Sequence, residues 1–354
     1  MPPAASARDR ADACPGAITV HPAADGGLAR VRLPGGVLSA AQLRVLAAAA
    51  AELGDGRLEL TSRANVQIRA LAPGAEVELA ARLSEAGLLP SVSHERVRNI
   101  VASPLSGLSG GLDVLPLAAE LDEALCARPR LAELPGRFLF ALDDGRGDVA
   151  RLGADITLLM HDDRVQVETF EVPVGQAVAT MLALAEAFLD ERAAQGSRAW
   201  RVAELDDAAR LGFGGIPSPP ARAEPVGAVD GALVVLAPLG RLSAEQAQVL
   251  AGLTDQVRIT PWRSVVLPGV TDPRAAASAG LGVAADSPWY RVSACTGRPG
   301  CASALADVQA DARAATDRWA GRPVHWSGCA RRCGRPRDTE VDVVATGEGY
   351  RVDL

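Results

Sequence analysis

Two stretches of this chain repeat one another, and any fold must accommodate both. From Leu38 the sequence reads LSAAQLRVLAAAAAELGDGRLELTSRANVQIRAL, and from Leu242 it reads LSAEQAQVLAGLTDQVRITPWRSVVLPGV. Each opens on Leu-Ser, with Ser39 and Ser243 placed as helix N-caps. An Ala/Leu-rich amphipathic helix follows in each, then a strand, Leu58–Ala70 in one copy and Val257–Leu267 in the other. Strand-like stretches precede both helices, at Ala29–Leu33 and Ala232–Ala237. Each copy is therefore a β-α-β unit ending in a Thr-x-x-Arg-like turn. The turns read Thr61-Ser62-Arg63 and, one residue longer, Thr260-Pro261-Trp262-Arg263. An Arg after a Thr in both copies sets them apart from any two Ala-rich units, and the pair should meet about a pseudo-two-fold axis.

Between the copies, Glu76–Gly87, Leu117–Leu131 and Gln176–Gln195 read as helices. His94–Ala102, Arg137–Ala141, Ile156–Met160 and Arg164–Phe170 read as strands, with a hairpin turn at His161-Asp162-Asp163. The Gly- and Pro-rich stretch Gly212–Pro225 reads as a linker. The expected class is α+β with mixed sheets. The expected units are 1–75, 76–211, a linker 212–225, 226–274 and 275–354.

Composition narrows the function. A formal net charge of −7 argues against a dedicated nucleic-acid binder. All basic residues are Arg; Lys is absent. No apolar run reaches the roughly 18–20 residues of a membrane helix, and Met1–Ala13 lacks the apolar core of a signal peptide. The expectation is a soluble cytoplasmic protein. In that reducing compartment, clustered cysteines bind metal or do redox chemistry more often than they form disulfides.

The cysteines are clustered. Of six, Cys295, Cys301, Cys329 and Cys333 form C-x5-C and C-x3-C pairs, while Cys14 and Cys126 lie far away in sequence and read as ordinary thiols. Four thiolates meet the ligand count of a [4Fe–4S] cluster. Gly297, Pro299, Gly300, Gly328, Gly334 and Pro336 make loops that can turn backbone N–H groups toward sulfur, and Arg298, Arg331 and Arg332 can offset negative charge. Tetrahedral zinc is the competing reading, though it favours C-x2-C or C-x4-C knuckles. Between the pairs, Ala302–Trp319 reads as a helix and Pro323–Trp326 as a strand.

These motifs together resemble the nitrite and sulfite reductase superfamily. The cysteine spacing is similar to its cluster signature, LTSRANVQIRA to its ferredoxin-like half-domain, and Val97-Arg98-Asn99-Ile100 with Ala102–Gly107 to its next block. The resemblance implies two ferredoxin-like half-domains in a pseudo-two-fold repeat plus two α/β domains. It also implies that Cys333 can bridge the cluster to a haem-type iron. Arg63 and Arg98 fall on the two arginines of the reductases' oxyanion site. The lysine pair of that site corresponds to Arg137 and the apolar Leu139. Arg stays protonated and Leu carries no proton, so repeated proton delivery to an oxyanion is poorly served.

The shorter length, LPGRFLFALDDG, CPGAITVHPAADGGLARVRLPGG and RITPWRSVVLPG look like the precorrin-3B synthases, the compact cobalamin-pathway branch. That resemblance implies an O2-dependent monooxygenase. It would hydroxylate precorrin-3A at a meso carbon with γ-lactone formation, electrons passing from an external NAD(P)H-derived donor through the cluster. An Arg can hold a ligand carboxylate bidentately. Candidates are Arg63, Arg69, Arg98, Arg137 and Arg263, with Asn65, Gln67 and Asn99 as polar positioners. A second iron centre, non-haem or sirohaem-like, is implied but not located. A 2-His-1-carboxylate site would need two of His21, His94, His161 and His325, and His325 reads as a donor near Cys329. No G-x-G-x-x-G follows a strand, so Gly107-x-x-Gly110-Gly111 and Gly212-x-Gly214-Gly215 read as loops. A monomer is natural, because the pseudo-dimer lies within one chain. The alternatives are a short sirohaem nitrite or sulfite reductase and a non-enzymatic tetrapyrrole-binding electron-transfer module.

Overall fold

The computed structural model describes residues 12, 14–108, 112–161, 164–216, 225–319, 321–336 and 338–354. Most of the expected linker, Asp162 and Asp163 of the expected hairpin turn, and Gly110 and Gly111 lie outside those residues. The first repeat comprises β1 (His21–Ala23), β2 (Gly26–Val31), β3 (Val37–Ser39), α1 (Ala40–Leu53), β4 (Arg57–Leu60) and β5 (Val66–Leu71). α2 (Ala75–Glu85) follows and buries Leu79 and Leu83 in the same core as α1, so it packs with the first repeat.

The middle of the chain forms β6 (Ile100–Ala102), α3 (Leu115–Cys126), β7 (Phe140–Asp143), β8 (Ile156–His161), β9 (Arg164–Val167), β10 (Phe170–Pro173) and α4 (Ala177–Ala194). The second repeat has the same order as the first: β11 (Gly227–Val229), β12 (Ala232–Leu236), β13 (Arg241–Ser243), α5 (Ala244–Leu253), β14 (Gln256–Ile259) and β15 (Ser264–Pro268). The C-terminal part holds α6 (Arg274–Ser278), β16 (Val292–Ala294), α7 (Val308–Ala314), β17 (Val324–Ser327), β18 (Val341–Thr346) and β19 (Gly349–Asp353). No helix among the described residues is long and apolar enough to cross a membrane.

The two repeats exchange a strand. β13 of the second pairs with β4 of the first, and β3 of the first pairs with β14 of the second. The sheets therefore run β1-β2-β5-β4-β13 and β11-β12-β15-β14-β3. Each exchanged strand leads straight into its helix through a capping box. Ser39 Oγ accepts from Gln42 N at 3.1 Å, and Ser243 Oγ from Gln246 N at 3.2 Å. Both glutamine side chains reach back to the cap N–H at 2.9 Å. The first helical N–H groups find partners in the other repeat: Ala40 N donates to Asp255 O at 2.8 Å and Ala244 N to Gly56 O at 3.0 Å. Between the sheets, Leu46, Ala47, Ala50, Ala247 and Leu250 share one continuous core, all fully buried.

Two expectations change in detail. Leu58–Ala70 and Val257–Leu267 are not single strands but hairpins, broken at Thr61–Asn65 and Thr260–Ser264. In each, the Thr hydroxyl accepts two backbone N–H groups across the turn, from Arg63 and Asn65 in one and from Trp262 and Ser264 in the other. The turns are thus equal in length, and Arg263 matches Ala64, not Arg63. Both of those residues take positive φ, 65° and 55°.

The middle sheet runs β10-β9-β8-β7-β6, with β6, β7 and β8 parallel, and packs α3 and α4 over a core containing Phe138, Phe140 and Phe188. Only Ile100–Ala102 of the expected strand His94–Ala102 is extended. Ahead of it His94 bonds Ser91, Ser93 and the Arg128 carbonyl, and the Glu95 carboxylate takes Ile18 N and Thr19 N. The expected helix Ala302–Trp319 starts only at Val308, where Asp307 caps it through Ala310 N at 3.1 Å. The β18–β19 hairpin, unread in the sequence, completes a sheet ordered β16-β17-β18-β19.

Replacing either cap serine by alanine should cost about 1 kcal/mol of stability. Urea unfolding of Ser39→Ala, Ser243→Ala and the double variant measures this, and near-equal losses are expected because the two caps have the same bonds.

Candidate functional site: four cysteines beside an arginine-lined cavity

The four cysteines sit on two loops that are stitched to each other. Cys295 closes β16, its N–H donating to Trp326 O at 2.9 Å, and Gly328 N donates to Cys295 Sγ at 3.1 Å. Leu305 N reaches Gly328 O at 2.7 Å, and Cys301 N turns back to Gly297 O at 2.9 Å. A Cβ on Gly328 would meet Ala304 Cβ at 2.8 Å and Cys295 Sγ at 3.4 Å, so the contact needs glycine. All four are free thiols. Burial raises the Cys295 thiol above its ordinary range, and Cys333 and Cys301 push it the same way, against N–H groups of Gly328 and Gly297. Four thiols on two joined loops, one of them already accepting a backbone N–H, supply the donor number and softness that an iron–sulfur core takes, and its positive charge would favour their thiolate form.

The neighbouring arginines fasten loops instead of facing sulfur. Arg332 pairs with Asp342 and, at 2.5 Å, with Asp353; Arg331 donates to Ser303 Oγ at 3.3 Å; and Arg298 Nε donates to Ala304 O at 2.8 Å. Arg69, expected at the substrate, is buried in an ion pair with Asp25 at 3.0 Å, and its Nη2 donates to Gly300 O at 2.8 Å. It ties the Cys301 loop to the first repeat.

A cavity of about 600 Å³ opens beside Cys333-Gly334, walled by both Thr-turns, β7's approach and the C-terminal sheet. Six arginines line it, Arg63, Arg151, Arg201, Arg263, Arg291 and Arg335, together with Asp338, Ser62, Ser293, Thr339 and the rings of Trp262 and Trp289. A smaller space of about 320 Å³ reaches Cys295 and Cys333 and shares Ser62, Gly240, Arg263 and Gly334 with the larger one. The cysteine site and the arginine cavity are therefore neighbours.

Of the expected residues, Arg63 and Arg263 line the cavity and Gln67 lines the smaller space. Arg63 Nη1 lies 3.4 Å from Gly136 O, and its guanidinium is pushed down to about 10 by burial and by Arg201. Arg263 Nη2 donates to Gly334 O at 3.3 Å. Gln67 joins Arg30 to Glu59.

The remaining candidates hold the scaffold. Asn65 accepts from Leu33 N at 2.9 Å and donates to Asn99 Oδ1 at 3.1 Å, and Asn99 donates to Gly136 O at 2.8 Å; both are fully buried. Arg98 forms a bidentate pair with Asp122 at 2.6 Å, and Arg137 is exposed and stacks 5.1 Å over Trp200. None of these four is among the described residues that line the larger cavity. Leu139 does line it, and its N–H donates to Asp155 at 2.8 Å.

The histidines do not converge. His325 is fully buried, bonded through Nδ1 to Ser293 Oγ at 2.8 Å, and held neutral, pushed down to about 4 by burial and Arg263. Among the described residues the group of three close metal-ligand side chains is Asp143, Asp144 and Asp148, with no histidine. Both Asp143 oxygens are occupied by backbone N–H groups, which makes it a loop clamp. Cys14 packs on Gly136, and Cys126 ends α3 with its thiol pushed up to about 11 by burial and Asp122. Arg151, Arg201, Arg291 and Arg335 were not legible as site residues, since no motif marks them and only the fold brings them together.

The family model for the nitrite/sulfite reductase ferredoxin-like half domain matches residues 21–86 and 230–278, the two exchanged repeats. The NirA protein of Mycobacterium tuberculosis superposes at a TM-score of 0.72 with 21% identity, over 93% of this chain and 74% of that one. The chain thus has the nitrite and sulfite reductase fold, as its cysteine spacing and strand motifs imply. By sequence it is similar to precorrin-3B synthase of Sinorhizobium sp, 28% identical over 96% of this chain and 82% of that protein. It is also similar to the ferredoxin–nitrite reductase of Synechococcus elongatus, 27% identical over 90% and 76% of the two chains.

The site yields two expected outcomes. Cys301→Ser and Arg69→Met should both lower iron and sulfide per chain after anaerobic purification, the first to near zero, whereas Cys126→Ser should not. Asp148 is pushed up to about 6, mainly by burial, against a hydrogen bond from Ser103. A raised carboxyl destabilises the fold as pH climbs from about 4 through about 6, so Asp148→Asn should gain about 3 kcal/mol at pH 8 and almost nothing at pH 4. Urea unfolding at the two pH values checks it.

Proposed function

We propose that the chain is an oxidoreductase of modified tetrapyrroles, specifically a precorrin-3B synthase. The observation that carries this reading is the cavity of about 600 Å³ that six arginines line, with Asp338 as its one acidic lining residue among the described residues, and that reaches Gly334 next to Cys333. A macrocycle rimmed with carboxylates matches such a wall, because each guanidinium can take a carboxylate through two parallel N–H bonds. Trp262 and Trp289 supply flat apolar surface for the ring faces.

In this reading Cys295, Cys301, Cys329 and Cys333 hold a [4Fe–4S] cluster, which when bound supplies electrons singly from an external donor. The reaction is a mono-oxygenation. One atom of O2 enters a C–O bond at a meso carbon of precorrin-3A, and the other leaves as water with two electrons and two protons. A ring acetate then closes the γ-lactone. The protein's own residues hold the carboxylates and orient the ring. The domain units at 1–75, 76–211, 226–274 and 275–354 and a monomeric, cytoplasmic enzyme complete the proposal.

The reading that competes is a sirohaem nitrite or sulfite reductase, favoured by the similarity to ferredoxin–nitrite reductase. Against it stands the cavity wall, where Leu139 presents an apolar side chain and Arg137 lies out on Trp200. Neither can pass protons repeatedly to a bound oxyanion.

Anaerobically purified protein separates the two. Conversion of precorrin-3A under air with a chemical reductant is the expected result. Sirohaem in an acid–acetone extract together with nitrite or sulfite reduction would overturn it, and zinc in place of iron would overturn the cluster.

A further inference from the structure

The cavity's arginines are not equivalent in charge. Arg201 pairs with Asp155 at 2.6 Å, Arg291 with Asp338 at 2.9 Å and Arg335 with Asp342 at 3.2 Å. Those three are neutralised within the protein and can shape the wall without drawing in an anion. Arg151 differs. It has no ion pair or hydrogen bond among the described residues, and its Nη1 is enclosed without an acceptor. An enclosed guanidinium nitrogen with no acceptor costs free energy that a carboxylate on the neighbouring nitrogens would offset by restoring the missing counter-charge.

The backbone is built to hold it there. Asp143 is fully buried at the end of β7 and accepts Gly145 N at 3.0 Å and Gly147 N at 2.8 Å on one oxygen. On the other it accepts Val149 N at 3.0 Å and Ala150 N at 2.9 Å. Four bonds to one carboxylate fix the loop immediately before Arg151. Neither Asp144 nor Asp148 forms an ion pair with Arg151 among the described residues: Asp144 pairs with Arg146, and Asp148 accepts from Ser103. Arg63 and Leu139 line the same cavity, so a carboxylate held by Arg151 shares its walls with a second guanidinium and an apolar side chain.

We propose that Arg151, presented by the loop that Asp143 clamps, receives a peripheral carboxylate of the anionic macrocycle and so sets which ring carboxylate pattern the cavity accepts. This rests on the tetrapyrrole reading above and names the residue that would discriminate among such rings. The test uses the full-length, anaerobically purified protein and uroporphyrin I, an octacarboxylate porphyrin, followed by fluorescence quenching. Arg151→Met should weaken uroporphyrin binding about tenfold, the loss of one charged bidentate contact.

Arg151→Lys, which keeps the charge but not the fork, should recover only part of that loss. Arg164→Met, which removes a guanidinium paired with Glu171 outside the cavity, should bind as the unaltered protein does. Circular dichroism and the visible absorbance of the cluster establish that each variant is folded, and the lysine variant keeps the question answerable if the methionine variant does not fold. Equal affinity of Arg151→Met and the unaltered protein, or equal losses in Arg151→Met and Arg164→Met, would overturn the assignment of Arg151 alone. No uroporphyrin binding by the unaltered protein would overturn the tetrapyrrole reading and this assignment with it.

Discussion

The reciprocal exchange of β3 and β13 is the interaction on which the rest of this molecule depends. Each repeat lends the other its edge strand, so neither five-stranded sheet is complete from its own segment. An unpaired sheet edge is a liability, and here the edges of β4 and β14 are covered by a short strand of the sister repeat. The exchange also brings the two Thr-turns to the same cavity, and those turns supply Arg63 and Arg263. Close approach at this junction is demanding. Gly36, at φ 72°, would place a Cβ 2.2 Å from the Ile259 carbonyl, so no other residue fits there without moving the second repeat.

From that platform the other parts are fastened by charge. Arg69 and Asp25 of the first repeat hold the Cys301 loop, Asn65 and Asn99 bind the first repeat to the turn at Gly136, and Arg258 of the second repeat donates to Pro104 and Ser106 carbonyls. A chain with no lysine does this work with guanidinium groups, which suit the task. Their donors lie in a plane and reach two or three acceptors at once, and they lose less on partial burial than an ammonium would. The same chemistry serves two ends. Arginines paired with carboxylates fasten loops and shape the wall, whereas Arg151 lines the cavity with no carboxylate partner among the described residues.

How much of this the sequence disclosed follows the range of the interactions involved. The repeat was legible because the Leu-Ser entry, the capping glutamine and the alternating strands are local signals. That the four cysteines meet on two joined loops was legible, because two close thiol pairs in Gly-rich segments are a local pattern that core packing does not need. The hairpins within Leu58–Ala70 and Val257–Leu267 were not, since both turns are closed by a threonine side chain and lack Gly, and only the second carries a Pro, Pro261. Arg69 and Arg98 read as ligand residues from their motif, yet each meets a carboxylate distant in sequence, Asp25 or Asp122, that no local pattern reveals. Arg151, Arg201, Arg291 and Arg335 come from parts of the chain that the fold alone assembles. The short β16 and the β18–β19 hairpin lack a distinctive period, so they too emerged only with the sheet.

The carboxylate of Asp143 has a further consequence for recognition. A wall segment held by four backbone hydrogen bonds has little conformational freedom left to lose when a guest arrives. The entropic penalty of binding then falls mainly on the guest and on stripping water from the guanidinium groups. For the macrocycle proposed here, such a rigid wall would select by shape, favouring rings whose substituents match fixed positions over isomers that differ only in where a side arm is attached.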